Sequence, residues 1–335
     1  MDDRTQALYA FATTSLGCTT QPQWLPLPGD AGGRRYFRLR DGAKSWICVD
    51  APQETSATAA FLTVREMLES AELVVPEVVA KDLARGFLLL TDLGEQLLFD
   101  AIDQRQPSSD YYGALPLLHA VQRIPSIDLP AYDASVLSEE LARFPTWFCE
   151  GFLEIELSDD QRDMLASLDA LLIESALAQP QVFVHRDFHC RNLLPGAVGG
   201  LGMIDFQDAL RGPLCYDLVS LLKDCYLRWP RQQVLSWALA FRKQRLATGL
   251  PAGESKEVFL QWFDWMGLQR HLKVLGNFTR LALREQRTRY LGDVPLVSAY
   301  VEEVLLTYDD FAAVARWWQE AVKPQIEVRD WGAPS

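Results

Sequence analysis

His185-Arg186-Asp187-Phe188-His189-Cys190-Arg191-Asn192, followed after a short interval by Ile204-Asp205-Phe206, decides how the rest of this chain is read. An aspartate, an asparagine a few residues on, and a second aspartate behind an apolar run form the set that phosphoryl transfer from a nucleotide requires. One carboxylate orients or deprotonates the acceptor hydroxyl. The amide and the other carboxylate suit Mg²⁺, a hard cation that takes oxygen ligands. Beyond that, positioning and charge neutralisation leave the protein little covalent work. Local context supports the reading. Gln181 to Val184 reads as a short strand running into His185. Leu193-Leu194 reads as a second, directly after Asn192, and Gly202-Met203-Ile204 as a third, ending at Asp205. Such strand ends gather loops around a ligand at one edge of a small sheet.

A zinc site is the main rival use of His185, Asp187, His189 and Cys190. Zinc sites commonly draw N and S ligands from two separated clusters. Here the other histidines are His119 and His271, and no C-x-x-C occurs, so the spacing argues against zinc. His185 reads as a packed residue that bonds backbone beside the loop. A capped strand-end turn explains one acidic residue but not the whole set.

Composition narrows the class. The chain has 335 residues, 49% hydrophobic and 23% charged, which are ordinary globular values. That length can bury a large core and suits two lobes. A formal net charge of -13 argues against a nucleic-acid-binding surface. The six cysteines are scattered and several sit in apolar runs, as buried small hydrophobes do in a reducing compartment. Met1-Asp2-Asp3-Arg4 does not begin a signal peptide, and no apolar run is long enough to span a bilayer. The expectation is a cytoplasmic protein with no membrane and no obligate protein partner.

Along the chain, Asp3 to Leu16 reads as an amphipathic helix with Leu8, Phe11, Ala12 and Leu16 on one stripe. Strands follow at Gln23 to Leu27, Arg35 to Leu39 and Lys44 to Val49. A helix at Thr55 to Ala71 turns Phe61, Val64 and Leu68 inward. Strands at Val78 to Lys81 and Phe87 to Leu90 come next. Helices then dominate: Tyr111 to Val121, Ser138 to Phe152 and Asp159 to Leu177 precede the motif. Tyr216 to Leu227, Gln232 to Thr248, Glu254 to Arg284 and Val294 to Glu320 follow it. Short strands first and helices later predict an α+β bilobal architecture. The turn after the first strand contains Gly29, Gly32 and Gly33, whose backbone is able to approach phosphates closely. Arg34 and Arg35 adjoin it, and arginine forks match phosphate oxygens.

His185 to Leu194, Ile204 to Asp208 and Gly212 to Leu218 together resemble the aminoglycoside phosphotransferase and choline kinase-like superfamily, which shares the protein-kinase fold. Gly29 to Arg38 and Val49 to Pro52 are similar to the branch that phosphorylates N-acetylmuramate and N-acetylglucosamine at the anomeric hydroxyl in peptidoglycan recycling. The resemblance implies a small β-rich N-lobe for nucleotide binding (1–92) and a larger helical C-lobe for catalysis and acceptor binding (93–335). It implies ATP and Mg²⁺, Asp187 as the catalytic carboxylate, and Asn192 and Asp205 as metal ligands. The stretch Leu90, Asp92, Leu93 resembles the hinge whose backbone binds adenine. One departure stands out. The family carries a lysine at an inner position of strand three, and Ser45-Trp46-Ile47-Cys48-Val49-Asp50 has none, Lys44 standing at the strand's start. Arg34 or Arg35 is expected to supply that charge.

The acceptor, expected to be a small amino sugar, is less legible. His189, Asp208 and Arg211 are polar candidates near Asp187 in sequence. Trp147 and Glu150, three apart on one predicted helix, offer an aromatic face and a carboxylate to a sugar ring. Ordinary helix packing explains that pair equally well. Arg270, His271 and Lys273 are weaker candidates for a substrate carboxylate. Two other readings stay open: a kinase of the same fold for an aminoglycoside, choline, a hydroxy amino acid or another sugar, and a non-catalytic nucleotide-binding protein.

Overall fold

Phe87-Leu88-Leu89-Leu90 is apolar at every position because its strand is covered on both faces. Successive side chains of a strand point to opposite sides. Phe87 and Leu89 therefore join Leu8, Ala12, Leu39 and Cys48 in one cluster, while Leu88 and Leu90 join Val49, with Phe61 and Val78 alongside, in another. The computed structural model describes residues 1–27, 34–51, 55–102, 109–197 and 200–334. Gly29, Gly32 and Gly33 lie outside the described residues.

In chain order the elements are α1 (Asp3–Leu16), β1 (Gln23–Leu27), β2 (Arg35–Asp41), β3 (Lys44–Asp50), α2 (Thr55–Ser70), β4 (Val78–Asp82), β5 (Phe87–Thr91), α3 (Leu98–Ala101), α4 (Ser109–Val121) and α5 (Ala134–Leu141). A π-helix (Phe144–Phe152) follows, then α6 (Asp159–Leu177), β6 (Gln181–Val184), β7 (Leu193–Ala197), β8 (Gly200–Met203) and β9 (Leu210–Pro213). The chain continues through α7 (Tyr216–Leu222), α8 (Arg231–Ala247), α9 (Lys256–Glu285), α10 (Val294–Leu305), α11 (Ala312–Trp317) and α12 (Lys323–Glu327). This is the α+β order expected from the sequence.

The chain divides into two units. The first comprises Met1–Ile102 and Arg191–Ala209, the second Asp103–Cys190 and Leu210–Ser335. In the first, an antiparallel sheet runs β1-β2-β3-β5-β4. The helix α1 starts where the Asp2 carboxylate accepts the Thr5 N–H at 2.7 Å, and ends at Gly17 in the left-handed region, φ 64°. Its Leu8 and Ala12 reach the first cluster. From α2, Phe61 stacks on Phe206 with ring centroids 5.1 Å apart, and Met203 N–H bonds the Val74 carbonyl at 3.0 Å. The β7–β8 hairpin is thereby fastened to the N-terminal sheet's own unit.

The second unit is built around α9. Its N-terminus is capped by Ser255, whose Oγ accepts the Val258 N–H at 3.2 Å. Most of its length is buried, including the polar side chains Asp264, Gln269, Arg270, His271 and Lys273. Gly276 lets α9 touch the segment leading into the π-helix. A Cβ there would lie 2.5 Å from the Arg143 carbonyl carbon and 2.6 Å from its oxygen. Backbone cannot yield as a side-chain tip does. Gly276→Ala is therefore expected to destabilise the protein by about 1–3 kcal/mol. Urea unfolding of the variant checks this, and an unchanged midpoint would count against the close approach.

Three predicted helices are corrected. The continuous helix expected over Ser138 to Phe152 is α5 followed by a π-helix. Pro145 lacks an N–H and its ring crowds the preceding turn, so regular α pairing breaks there. The helix expected to run on to Leu227 stops at Leu222. Beyond it, the Asp224 carboxylate takes the N–H groups of Tyr226 and Leu227 at 2.9 and 2.7 Å, a local alternative to helix. The helix expected over Val294 to Glu320 is interrupted after Leu305 by a turn and a short 3₁₀ segment, Asp309–Phe311. The strand β9, paired antiparallel with β6, was not anticipated.

Candidate active site

In the second unit, β6 delivers the chain into His185 and the loop that follows. Asp217, at the start of α7, clamps that loop. Its two carboxylate oxygens accept the N–H of His185 at 2.7 Å and of Arg186 at 3.0 Å. Arg186 takes a left-handed φ of 76°, which the clamp helps hold. His185 is fully buried, and its Nδ1 accepts the Asp187 N–H at 3.3 Å. Asp187 closes the turn by accepting the His189 N–H on its backbone oxygen at 3.0 Å. The Cys190 thiol donates to the buried Asp224 carboxylate at 2.9 Å. His189 lies edge-on to Tyr226, with centroids 5.6 Å apart.

Two aspartates in this loop region feel opposite fields. Burial pushes the Asp187 carboxyl up, but the charges of His189, Arg270, Lys273 and His185 outweigh it and hold it below its ordinary value. It is ionised at neutral pH, the state in which a carboxylate is able to accept a proton. Burial dominates at Asp217 and lifts it to about 7, against the pull of the His185 and Arg186 N–H groups.

Beneath the loop sits a charge cluster anchored by Glu140, which is 1% exposed. Its Oε1 takes Arg186 Nη2 at 2.5 Å and Lys273 Nζ at 2.9 Å. Its Oε2 takes Gln269 Nε2 at 3.2 Å and the Tyr132 hydroxyl. Lys273 also donates to the Tyr216 hydroxyl at 2.8 Å, and Arg270 to Ser220 Oγ at 2.8 Å. His271 bonds the Lys223 carbonyl at 2.9 Å, and burial takes its pKa down to about 3. Arg270, His271 and Lys273 are thus committed within their own unit. Sequence reading did not anticipate Glu140, Tyr132 or the role of Asp217.

The other half of the motif belongs to the first unit. The Ile204 N–H bonds the Asn192 carbonyl at 3.1 Å, which brings Asp205 beside Asn192. Asn192 Nδ2 donates to Asp205 Oδ2 at 3.3 Å, and Gln207 Nε2 to Asp205 Oδ1 at 2.7 Å. Asp205 itself adopts φ 66°, a conformation that aspartate tolerates better than most side chains. A carboxylate and an amide presented together are hard oxygen donors. They fit Mg²⁺, which usually takes one or two protein ligands and fills its shell with water and substrate phosphates. Among the described residues, no group of three or more His, Cys, Asp or Glu side chains is gathered as a metal cage.

The remaining predicted residues are placed as follows. Arg35, on β2, donates to the buried Asp50 from Nη2 at 2.7 Å and to Asp2 from Nη1 at 2.6 Å. Asp50 closes strand three and also takes Arg4, so the strand whose inner positions carry no lysine ends in a carboxylate with two arginine partners. Arg34 precedes β2 and is half-buried. Leu90 pairs with Ile47 in the sheet. The Asp92 side chain is held by Arg38 Nε at 2.6 Å and Nη2 at 3.1 Å. Leu93 packs beside Gly202. Asp208 is exposed in the first unit, and Arg211 lies on β9 of the second. Trp147 lines a surface cavity of about 440 Å³ with Glu139, Arg143 and Arg280, and the Arg284 guanidinium covers its ring at 5.1 Å. Glu150 pairs with Arg162 on α6.

Residues 23–255 match the family model described as phosphotransferase enzyme family. The chain is 41% identical over 277 residues to an N-acetylmuramate/N-acetylglucosamine kinase of Pseudomonas putida, covering 82% of this chain and 81% of the relative. It is 39% identical over 303 residues to a protein of the same name from Pseudomonas aeruginosa, covering 90% and 89%. The crystal structure of choline kinase LicA from Streptococcus pneumoniae superposes with a TM-score of 0.63 at 12% identity, over 93% of this chain and 100% of that one. At that identity the likeness speaks for the fold, and it is the protein-kinase-like fold expected from the sequence.

Proposed function

This chain belongs to the phosphotransferase enzyme family, and from that premise we propose that it transfers the γ-phosphoryl group of ATP to the anomeric hydroxyl of N-acetylmuramate and N-acetylglucosamine. The observation that carries the reading is the 41% and 39% identity, over most of both chains, to kinases named for those two sugars. Retention of Asp187, Asn192 and Asp205 supports an active enzyme over a non-catalytic binder.

In the proposed reaction Asp187 orients the anomeric hydroxyl and accepts its proton as the phosphoryl group leaves ADP. An anomeric hydroxyl is more acidic than an ordinary alcohol, so a carboxylate held ionised by its surroundings serves without a raised pKa. Asn192 and Asp205 are the proposed Mg²⁺ ligands. When bound, the ion neutralises charge on the phosphates. Gln207, by donating to Asp205 Oδ1, helps orient that carboxylate for the duty. The proposed setting is the cytoplasm, where ATP is available, and the proposed role is recovery of cell-wall sugars. No helix among the described residues is long and apolar enough to cross a membrane.

The test is ATP consumption with Mg²⁺ across N-acetylmuramate, N-acetylglucosamine, glucose, choline, homoserine and kanamycin. Turnover with the two N-acetyl sugars, giving acid-labile phosphates without a reducing end, is the expected result. Turnover with another acceptor alone would keep phosphotransfer and discard the sugar assignment.

A further inference from the structure

Three arginines meet at one cavity of the second unit with no carboxylate among its walls. Arg123 follows α4, Arg211 lies on β9 and Arg245 on α8. With Gln122, Ser126 and Gln181 they line a cavity of about 510 Å³ whose remaining wall is apolar. Asp187 is not part of the lining.

The charge here is uncompensated. Arg245 is 1% exposed, yet its hydrogen bonds go to neutral oxygens, Gln122 Oε1 at 3.1 Å and the Pro251 carbonyl at 3.3 Å. Burial draws its pKa down to about 10, so it remains cationic at neutral pH. Among the described residues no carboxylate pairs with Arg123, Arg211 or Arg245. Elsewhere in the chain arginines find acids readily, as Arg35, Arg38, Arg186 and Arg231 do. Acidic side chains outnumber basic ones, 45 to 32, so a cavity with three arginines and no acid runs against the background. His119, on α4, registers the same field. Burial and then the charges of Arg245 and Arg123 lower its pKa.

A buried guanidinium without a counter-ion is costly until an anion satisfies it. We propose that this cavity binds a phosphate-type oxyanion, either free phosphate or a phosphomonoester, on the guanidinium groups of Arg123, Arg211 and Arg245. Guanidinium forks match phosphate oxygens in pairs. The apolar wall accommodates an organic moiety. Gln181 and Arg211 sit on the paired strands β6 and β9, and β6 runs directly into His185. An occupant would therefore rest on the strands that carry the loop of Asp187.

His119 is a built-in reporter. The test follows its imidazole titration by NMR in the full-length protein, at constant ionic strength, while adding inorganic phosphate or glucose 1-phosphate. An anion beside Arg123 and Arg245 offsets their charge, so the His119 pKa should rise saturably. Arg123→Gln, at an exposed position, should raise the His119 pKa of the free protein and abolish the response. A response to inorganic phosphate alone identifies the free ion, and one to the sugar phosphate alone identifies the ester. Equal responses identify the phosphate group as what is recognised. No saturable change with either, or a response that survives in Arg123→Gln, overturns the proposal.

Discussion

Asp187→Asn is expected to reduce phosphoryl transfer to the acceptor by about 10²–10⁴-fold, the range a positioned general base contributes, while nucleotide affinity stays nearly constant. The substitution preserves size. It also leaves intact the backbone bonds that shape the turn, from Asp187 N–H to His185 Nδ1 and from His189 N–H to the Asp187 oxygen. What it removes is the capacity to accept a proton and the negative charge that Arg270, Lys273 and the two histidines surround. Calorimetric titration with ATP and Mg²⁺, beside ATP consumption with N-acetylglucosamine, separates the two effects. Turnover within tenfold of the unaltered protein would refute Asp187 as the proton acceptor. Loss of nucleotide binding in step with turnover would show that the substitution disturbed more than the base.

Glu140→Ala is expected to cost about 3–5 kcal/mol of stability, the scale for breaking a buried ion pair by removing one partner. Arg186 and Lys273 would both lose their carboxylate, and the Tyr132 hydroxyl and Gln269 amide would lose an acceptor. The lower end is favoured because the Arg186 side chain keeps 24% of its exposure. Glu140→Gln, which retains the shape, should lose less. The pH dependence has a definite sign. Burial works to raise the Glu140 pKa, but Lys273, Arg186 and Tyr132 overcome it and bring it from 4.5 down to about 2. A carboxyl with a depressed folded-state pKa stabilises the fold fully above its unfolded value. That contribution fades as pH falls from about 4.5 through about 2. The stability gap between the unaltered protein and Glu140→Gln should therefore narrow across that window. Urea unfolding at several pH values measures it. A gap under about 1 kcal/mol at neutral pH, typical of exposed pairs, would mean that the cluster does not anchor the loop.

How far the sequence was legible depended on whether the signal was local. Strands β1 to β5 and helices α1, α2 and α6 follow from period, capping residues and turn chemistry within a few residues. Ser158 and Gln161 at the start of α6 bond each other's backbone N–H reciprocally, and both are visible in sequence. Asn192 and Asp205 come together because β7 and β8 pair, with Leu193 opposite Met203, which two apolar runs around a short turn already suggest. The Glu140 cluster is different. It joins α5, the loop and α9 across long stretches of chain, and a glutamate on a helix looks solvated until its partners are known. Asp217 was visible within a motif, but its task of holding two backbone N–H groups is not encoded in its identity. Pro145 was a readable signal that the helical periodicity around it obscured. Trp147 and Glu150 share a helix, yet Arg284 and Arg162, the partners that occupy them, are distant in sequence.

The return of Arg191–Ala209 to the first unit sets an order on biosynthesis. A ribosome that has released only the first hundred residues or so has made the N-terminal sheet, but not the hairpin that bonds Val74 or the ring that stacks on Phe61. Those contacts await a stretch of polypeptide translated after α4, α5 and α6. Until then Phe61 lacks its stacking partner, and such half-covered apolar surface is what nascent-chain chaperones bind. A fragment ending at Ile102 inherits that condition permanently. Dissection of the chain into independently expressed pieces should therefore respect spatial neighbourhood over linear order.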